Sequence, residues 1–218
     1  MRTALWGASL RAARAFWPDK HMFFYGLSKS AADPAYRYVA RAVSDSRLPL
    51  LDLGCGPGLL AAYLRACGFA GWIHGVDVDA GKIASARRVM AGRDAEFVVG
   101  DAANPPAHCG HVVALDVIHY FEPEAQAGFL RKIMSSLAPG GRAWIRLTLR
   151  DNSPRFTATR VEEWFVQKSG WIPVQGRHFP TRAAIEDACR TSTTRLFPMW
   201  GATPFNSYML EIDGPGEP

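Results

Sequence analysis

The 218-residue chain contains no apolar stretch of about 20 residues, so nothing in it reads as a membrane-crossing helix. Cysteine is scarce: Cys55, Cys67, Cys109 and Cys189 show no metal-type spacing, so no metal site is expected, and four thiols in a chain this long argue against a disulfide scaffold. Lysine occurs only at positions 20, 29, 82, 132 and 168, which leaves arginine to carry most of the positive charge. The net charge of +5 is compatible with anionic partners, but the basic residues are scattered, with no basic run and no recognisable RNA module. Arg2, Arg11 and Arg14 interrupt the first apolar run too early for a secretory signal, so a cytoplasmic protein is expected. Internal repeats are absent, and only residues 213–218 read as a disordered tail.

With 48% hydrophobic residues the chain can bury a substantial core, and its most informative segment runs from Leu50 to Gly58. Leu50, Leu51 and Leu53 suit a buried central strand, while Gly54, Gly56 and Gly58 allow a tight bend and close approach of a ligand. An amphipathic helix follows over 59–66. A dinucleotide fingerprint would want its third glycine at 59, where Leu59 stands, and the carboxylate of Asp52 would repel a pyrophosphate but suit an amino group or sulfonium. Three more strand-then-acid units succeed it: strand 72–76 before Asp77, strand 96–100 before Asp101, and strand 112–115 before Asp116. Leu137 to Gly141 then reads as a helix stop before a strand over 143–149.

From Asp52 to Gly58 the chain matches (Asp/Glu)-x-Gly-x-Gly-x-Gly, and with the serial acids it resembles the class I S-adenosylmethionine-dependent methyltransferases over about residues 48–149. That resemblance implies an α/β doubly wound, Rossmann-like fold with a seven-stranded sheet in the order 3-2-1-4-5-7-6, strand 7 antiparallel. It implies S-adenosylmethionine as cofactor, leaving as S-adenosylhomocysteine. Asp52, Gly54, Cys55 through its backbone, Gly56 and Gly58 would form the cofactor loop. Asp77 with Val78 would hold the ribose, Asp101 with Ala102 the adenine, and Asp116 would lie beside the methionine moiety. The pieces Asp116-Val117-Ile118-His119-Tyr120 and Trp200 to Asn206 also resemble methyltransferases accompanying bacterial aryl-polyene pigment pathways.

Around this catalytic region, taken as residues 48–212, the flanks supply the acceptor side. Residues 1–47 read as an N-terminal helical lid. Leu5, Trp6, Leu10, Ala13, Phe16 and Trp17 recur at helical spacing up to Pro18, and Asp33-Pro34 opens a second helix to about Val43. The first helix either covers the substrate or docks on a membrane surface or an acidic protein. After the fifth strand, helices are expected over 157–168 and 181–189, then a hairpin of strands 191–197 and 205–212 whose loop carries Trp200.

His119 and Tyr120 stand just after the fourth strand, where the family often places residues facing the transferred methyl, and His119 is the candidate general base. Tyr25, Phe121, Arg146 and Trp200 are the candidate substrate contacts, the arginine for an acceptor carboxylate or phosphate. The tetrad (Asp/Asn)-Pro-Pro-(Tyr/Phe) is missing after the fourth strand, so no DNA acceptor is expected. The reading is O- or C-methylation of a small aromatic or lipophilic acceptor, free or carrier-bound. The alternatives are an RNA or protein acceptor, or a non-catalytic cofactor-binding interaction protein.

Overall fold

The computed structural model describes residues 2–168, 177–201 and 203–216. Ala202 of the expected hairpin loop, residues 217 and 218 of the tail and the side chain of Leu5 lie outside what is described. Three helices come first: α1 (Arg2–Arg14), α2 (Lys20–Ala32) and α3 (Pro34–Ala42). Strand and helix then alternate as β1 (Leu50–Leu53), α4 (Leu59–Ala66), β2 (Ile73–Asp77), α5 (Ala80–Val89), β3 (Ala95–Val99) and β4 (His111–Leu115). A 3-10 turn, Ile118–Tyr120, leads into α6 (Pro123–Ser135) and β5 (Arg142–Thr148). The chain closes with α7 (Pro154–Lys168), α8 (Arg182–Ala188), β6 (Thr194–Pro198) and β7 (Ser207–Asp213).

The strands form one sheet ordered β3-β2-β1-β4-β5-β7-β6, with β7 antiparallel to both of its neighbours, as expected. Leu50 pairs with Ile73 on one side and His111 on the other, so β1 is central and all four of its residues are buried. Strand alternation splits the core in two. Leu50, Val113, Trp144 and Met209 face the side covered by α1, α3, α4 and α5, whereas Leu51, Leu53, Val112, Ile145 and Leu147 face α6 and α8. At the far edge Glu211 of β7 accepts from Trp144 Nε1 (3.2 Å), Tyr38 Oη (3.1 Å) and Arg195 Nε (3.1 Å), fastening α3 to three strands.

The N-terminal segment departs from expectation in three ways. Residues 20–32 form a helix that was not expected: Asp19 caps it by accepting from Met22 N, while the aromatic run 23–25 favours extended chain by propensity. The buried face of α1 is Ala8, Ala12 and Ala13 with Phe16 just beyond, small residues that bring it close to α4, and Trp6 and Trp17 of the anticipated stripe are about 60% exposed. Residues 1–47 also do not form a separate lid, since Ala8, Phe16, Tyr36 and Val39 share one core with Leu59 and Tyr63 of α4. At the other end β7 runs through Asp213, and Gly214 N donates to Gly141 O (2.8 Å) while Gly140 N donates to Pro215 O (3.2 Å). The expected disorder from residue 213 is therefore not what is found: backbone pairing to the turn before β5 orders the chain to Pro215. Among the described residues no helix is long and apolar enough to cross a bilayer.

Packing under the sheet's glycine corner is tight enough to test. A Cβ on Gly75 of β2 would lie 2.3 Å from Phe97 Cδ1 and 2.9 Å from Cys55 Sγ. Gly75→Ala is expected to cost about 1–3 kcal/mol through overpacking, read as a lower urea midpoint with an unchanged slope. A midpoint equal to the parent's would mean that Phe97 moves aside freely.

Candidate active site

The sheet order reverses between β1 and β4, and a cavity of about 1030 Å³ opens there at the carboxyl ends of the strands. Its floor is the glycine loop after β1. Gly54, Gly56 and Gly58 all have positive φ (73°, 53° and 82°), which only glycine adopts without strain. Gly54 N and Cys55 N both donate to Val76 O (2.8 and 3.1 Å), so the loop hangs from the end of β2. Gly56 N donates to Asp77 Oδ2 (2.9 Å), and Asp79 N donates to Asp77 Oδ1 (2.9 Å). A Cβ on Gly56 would meet nothing within 4 Å and would project into open space.

Most of the anticipated acids converge on this space. Asp77, Asp101 and Asp116 line it, together with Gly54, Gly56, Val78 and Ala102. Asp101 spends Oδ1 on Ala103 N (2.8 Å). Asp52, two residues before Gly54, does not line the cavity: it is buried with Oδ2 lacking any partner, and burial first, with the charge of Asp77 second, pushes its carboxyl up to about 7. Cys55 and Gly58 do not line the cavity: the thiol is buried and its pKa pushed far up by that burial, and Gly58 starts α4, where a Cβ would meet Ala86 at 3.0 Å.

The same cavity is lined by Tyr25 and Phe121 from the expected acceptor set and by Tyr120, the expected catalytic neighbour of His119. Sequence reading missed Asp19 and Met22 of α2 and Lys82, Ser85 and Arg88 of α5. The spacing 81, 85, 88 on one helical face, directly after Asp77, was the signal available for the second group.

Three candidates fall elsewhere. Arg146 is 6% exposed, does not line the cavity, and each of its guanidinium nitrogens has a carboxylate partner: Nε donates to Asp116 Oδ1 (2.9 Å), Nη2 to Asp116 Oδ2 and Nη1 to Asp33 Oδ2. Buried between two carboxylates of the protein, the arginine has a structural role in place of the expected acceptor contact. Asp33 also pairs with Lys29 (2.9 Å) and accepts from Ala35 N (3.0 Å) at the start of α3. Burial alone would raise the Asp33 carboxyl, but Arg146 and Lys29 together hold it down at about 2. Asp116 meanwhile sits at φ 61°, a strained backbone for a non-glycine residue.

His119 is buried, has no partner for either ring nitrogen, and does not line the cavity. The 3-10 turn rotates it away, with its ring 4.5 Å from that of Tyr120 and 5.7 Å from that of Phe179. Burial pushes its pKa down to about 4, which leaves a weak base. Trp200 lies under the Arg155 guanidinium (4.3 Å) and edge-on to Tyr208, a packing anchor outside the cavity.

The chain is similar to several methyltransferases. A profile of the methyltransferase domain family matches residues 50–141, from β1 to the turn before β5. A ribosomal protein L11 methyltransferase of Paraburkholderia phymatum is 27% identical over 133 residues, 58% of this chain and 42% of that protein. The chain thus spans less than half the length of that relative. Among solved structures, magnesium protoporphyrin IX methyltransferase from Synechocystis PCC 6803 with bound SAH superposes at a TM-score of 0.66 with 18% identity over 98% of both chains. Mitomycin 7-O-methyltransferase superposes at 0.64 with 19% identity, covering 94% of this chain and 60% of that one. At such identities the likeness to the solved structures is one of fold.

Removing the Arg146 guanidinium leaves two carboxylates without their counter-ion. Arg146→Met should cost about 3–5 kcal/mol. The pH dependence follows from the depressed Asp33 pKa: its contribution is present above the ordinary value of 3.8 and is lost as pH falls toward 2. Chemical denaturation between pH 5 and pH 2 should show a smaller loss in Arg146→Met than in the parent, and parallel curves would refute the pairing.

Proposed function

We propose that the chain is a class I S-adenosylmethionine-dependent methyltransferase, as its match to the methyltransferase domain family over residues 50–141 supports, and that it methylates a small aromatic or lipophilic acceptor on oxygen or carbon. The observation that carries this reading is one cavity lined both by the strand-end carboxylates Asp77, Asp101 and Asp116 and by Met22, Tyr25, Tyr120 and Phe121. S-adenosylmethionine, when bound, supplies an activated methyl group on a sulfonium that departs as a neutral thioether.

The chain's own residues divide the remaining work. Asp77 presents its carboxylate to the ribose hydroxyls while its hydrogen bond from Gly56 N keeps the glycine loop bent. Gly56 leaves the room that the methionine moiety needs. Asp101 faces the adenine with the oxygen that Ala103 N does not occupy. Tyr25, Tyr120 and Phe121 hold a flat apolar acceptor and exclude water. The phenol of Tyr120 is pushed above its ordinary pKa by burial, so it keeps its proton and can donate a hydrogen bond but cannot act as a base.

Catalysis by this set is proximity and orientation. Asp116 is held below the ordinary carboxyl value: burial opposes ionisation, but Arg146 and Lys29 outweigh it, and so weak a base cannot deprotonate an alcohol. The fitting acceptor is one that ionises readily in water, such as a phenol, an enol or a carboxylic acid. Two neighbours in fold are named for small-molecule acceptors, magnesium protoporphyrin IX and the 7-oxygen of mitomycin, which supports a small-molecule acceptor here. The ribosomal protein methyltransferase favours a protein acceptor as the second reading. Release of S-adenosylhomocysteine across a panel of phenols, aromatic acids and ribosomal proteins decides between the two.

Two mutations test the assignment. Asp77→Ala removes charge-assisted hydrogen bonds worth about 1.5–3 kcal/mol each, so calorimetric affinity for S-adenosylmethionine should fall at least about tenfold; an unchanged affinity in a folded variant would reject the ribose role. His119→Ala should lower the single-turnover rate by less than about threefold, below the range of a true general base. The apparent pKa of the rate should then follow the acceptor, moving when one phenol is exchanged for a more acidic one. A loss of about a hundredfold, with an ionisation fixed across acceptors, would restore His119 as base.

A further inference from the structure

The outer face of the α1–α2 hairpin carries more exposed aromatic surface than packing explains. Trp6, Trp17 and Phe24 are 62%, 60% and 64% exposed, the most exposed of the large hydrophobic side chains on the described surface. Trp17 and Phe24 both meet Phe23 edge-on, at 5.9 and 5.2 Å between ring centroids, so the aromatics form a continuous patch. Beside it runs a shallow groove of about 700 Å³, lined by Trp6, Phe24, Leu27 and Tyr25 with Lys20 and His21 at its rim. Exposed patches of this kind mark interaction sites.

Charge selects the occupant. Residues 1–32 contain Arg2, Arg11, Arg14, Lys20 and Lys29 against a single acid, Asp19, which is turned to its capping role and to the catalytic cavity. Lys29 is spent on Asp33 and Arg11 on Ala66 O, so Arg14 and Lys20 carry the charge beside the rings. Both are exposed at the end of α1 and the start of α2, the same end of the hairpin as Trp17. Tryptophan and phenylalanine at the tip of a basic helical pair suit the headgroup level of a bilayer, where the rings sit among acyl carbons and the cations meet anionic lipid.

We propose that this hairpin docks the enzyme on the surface of an anionic bilayer. Tyr25 lines both the outer groove and the catalytic cavity, so the docked face adjoins the acceptor wall. A lipophilic acceptor dissolved in the bilayer reaches the site along α2. The docking itself does not depend on which acceptor is methylated, and its test uses no acceptor.

Flotation of the full chain with vesicles of phosphatidylcholine containing 30% phosphatidylglycerol, against pure phosphatidylcholine, measures it directly; the lipid fraction is a choice of roughly physiological surface charge. Binding is expected to the anionic vesicles and to weaken at high salt. The variant Trp6→Ser, Trp17→Ser, Phe24→Ser should bind at least about tenfold more weakly while keeping its affinity for S-adenosylmethionine, which reports that it is folded. Should that variant not fold, Arg14→Glu with Lys20→Glu leaves every aromatic in place and should lose binding by about fivefold or more per charge removed. Failure of the parent to float with anionic vesicles overturns the proposal, as does equal binding by the variants. So does a dimer in sedimentation that the aromatic variant abolishes without any vesicle binding, because the face then belongs to a second copy. Capture of an acidic carrier protein in place of vesicles overturns it in favour of a protein partner.

Discussion

A single buried cation holds the acceptor side of this molecule to its cofactor side. Arg146 enters from the middle of β5 and is bonded on one flank to Asp116 at the end of β4 and on the other to Asp33 at the junction of α2 and α3. Three desolvated charges are stable together because each of the guanidinium's three nitrogens donates to a carboxylate oxygen. The same junction fixes the direction in which α2 leaves, and with it the placement of Met22 and Tyr25 over the cavity. The strained backbone of Asp116 is tolerable for the same reason: two hydrogen bonds from one rigid fork set the carboxylate's position more firmly than its own φ preference opposes it.

The cofactor half obeys a different and simpler constraint. A parallel strand that ends at a ligand must turn without side chains in the way, and the three left-handed glycines after β1 supply that turn. Asp77 then works twice, once as a loop fastener through Gly56 and Asp79 and once as a face of the cavity. Rigid support and ligand contact coincide in one side chain, which is why the site needs so few polar groups.

What could be read in advance follows from this division. The strand ends and their acids were legible because parallel strands are short apolar runs, and Asp77, Asp101 and Asp116 each fall at the first polar position after one. Helix α4 was likewise legible from its glycine start and buried leucines. Arg146 was not, since an arginine within a strand reads as solvent-facing, and its partners stand 30 and 113 residues away in sequence. His119 was misplaced because a position after β4 is easily assigned but its rotation about a 3-10 turn is not; the neighbouring Tyr120 took the cavity side instead. The N-terminal helix was phased on its large rings, yet the interface with α4 is made by alanines, whose weak pattern carries little signal.

The antiparallel closing strands bring the latter part of the chain back onto its beginning. A Cβ on Gly201, in the loop between β6 and β7, would touch Pro34 at 3.1 Å, and Arg155 of α7 donates to Thr203 O (2.7 Å) in that same loop. The scaffold around the recognition side is thus assembled from segments before β1 and after β5, while the nucleotide side is written in one unbroken stretch between them. The two flanks meet through this loop and through the bonds of Tyr38 with Glu211 and Arg195, so a change in either is transmitted to the other without passing through the middle stretch.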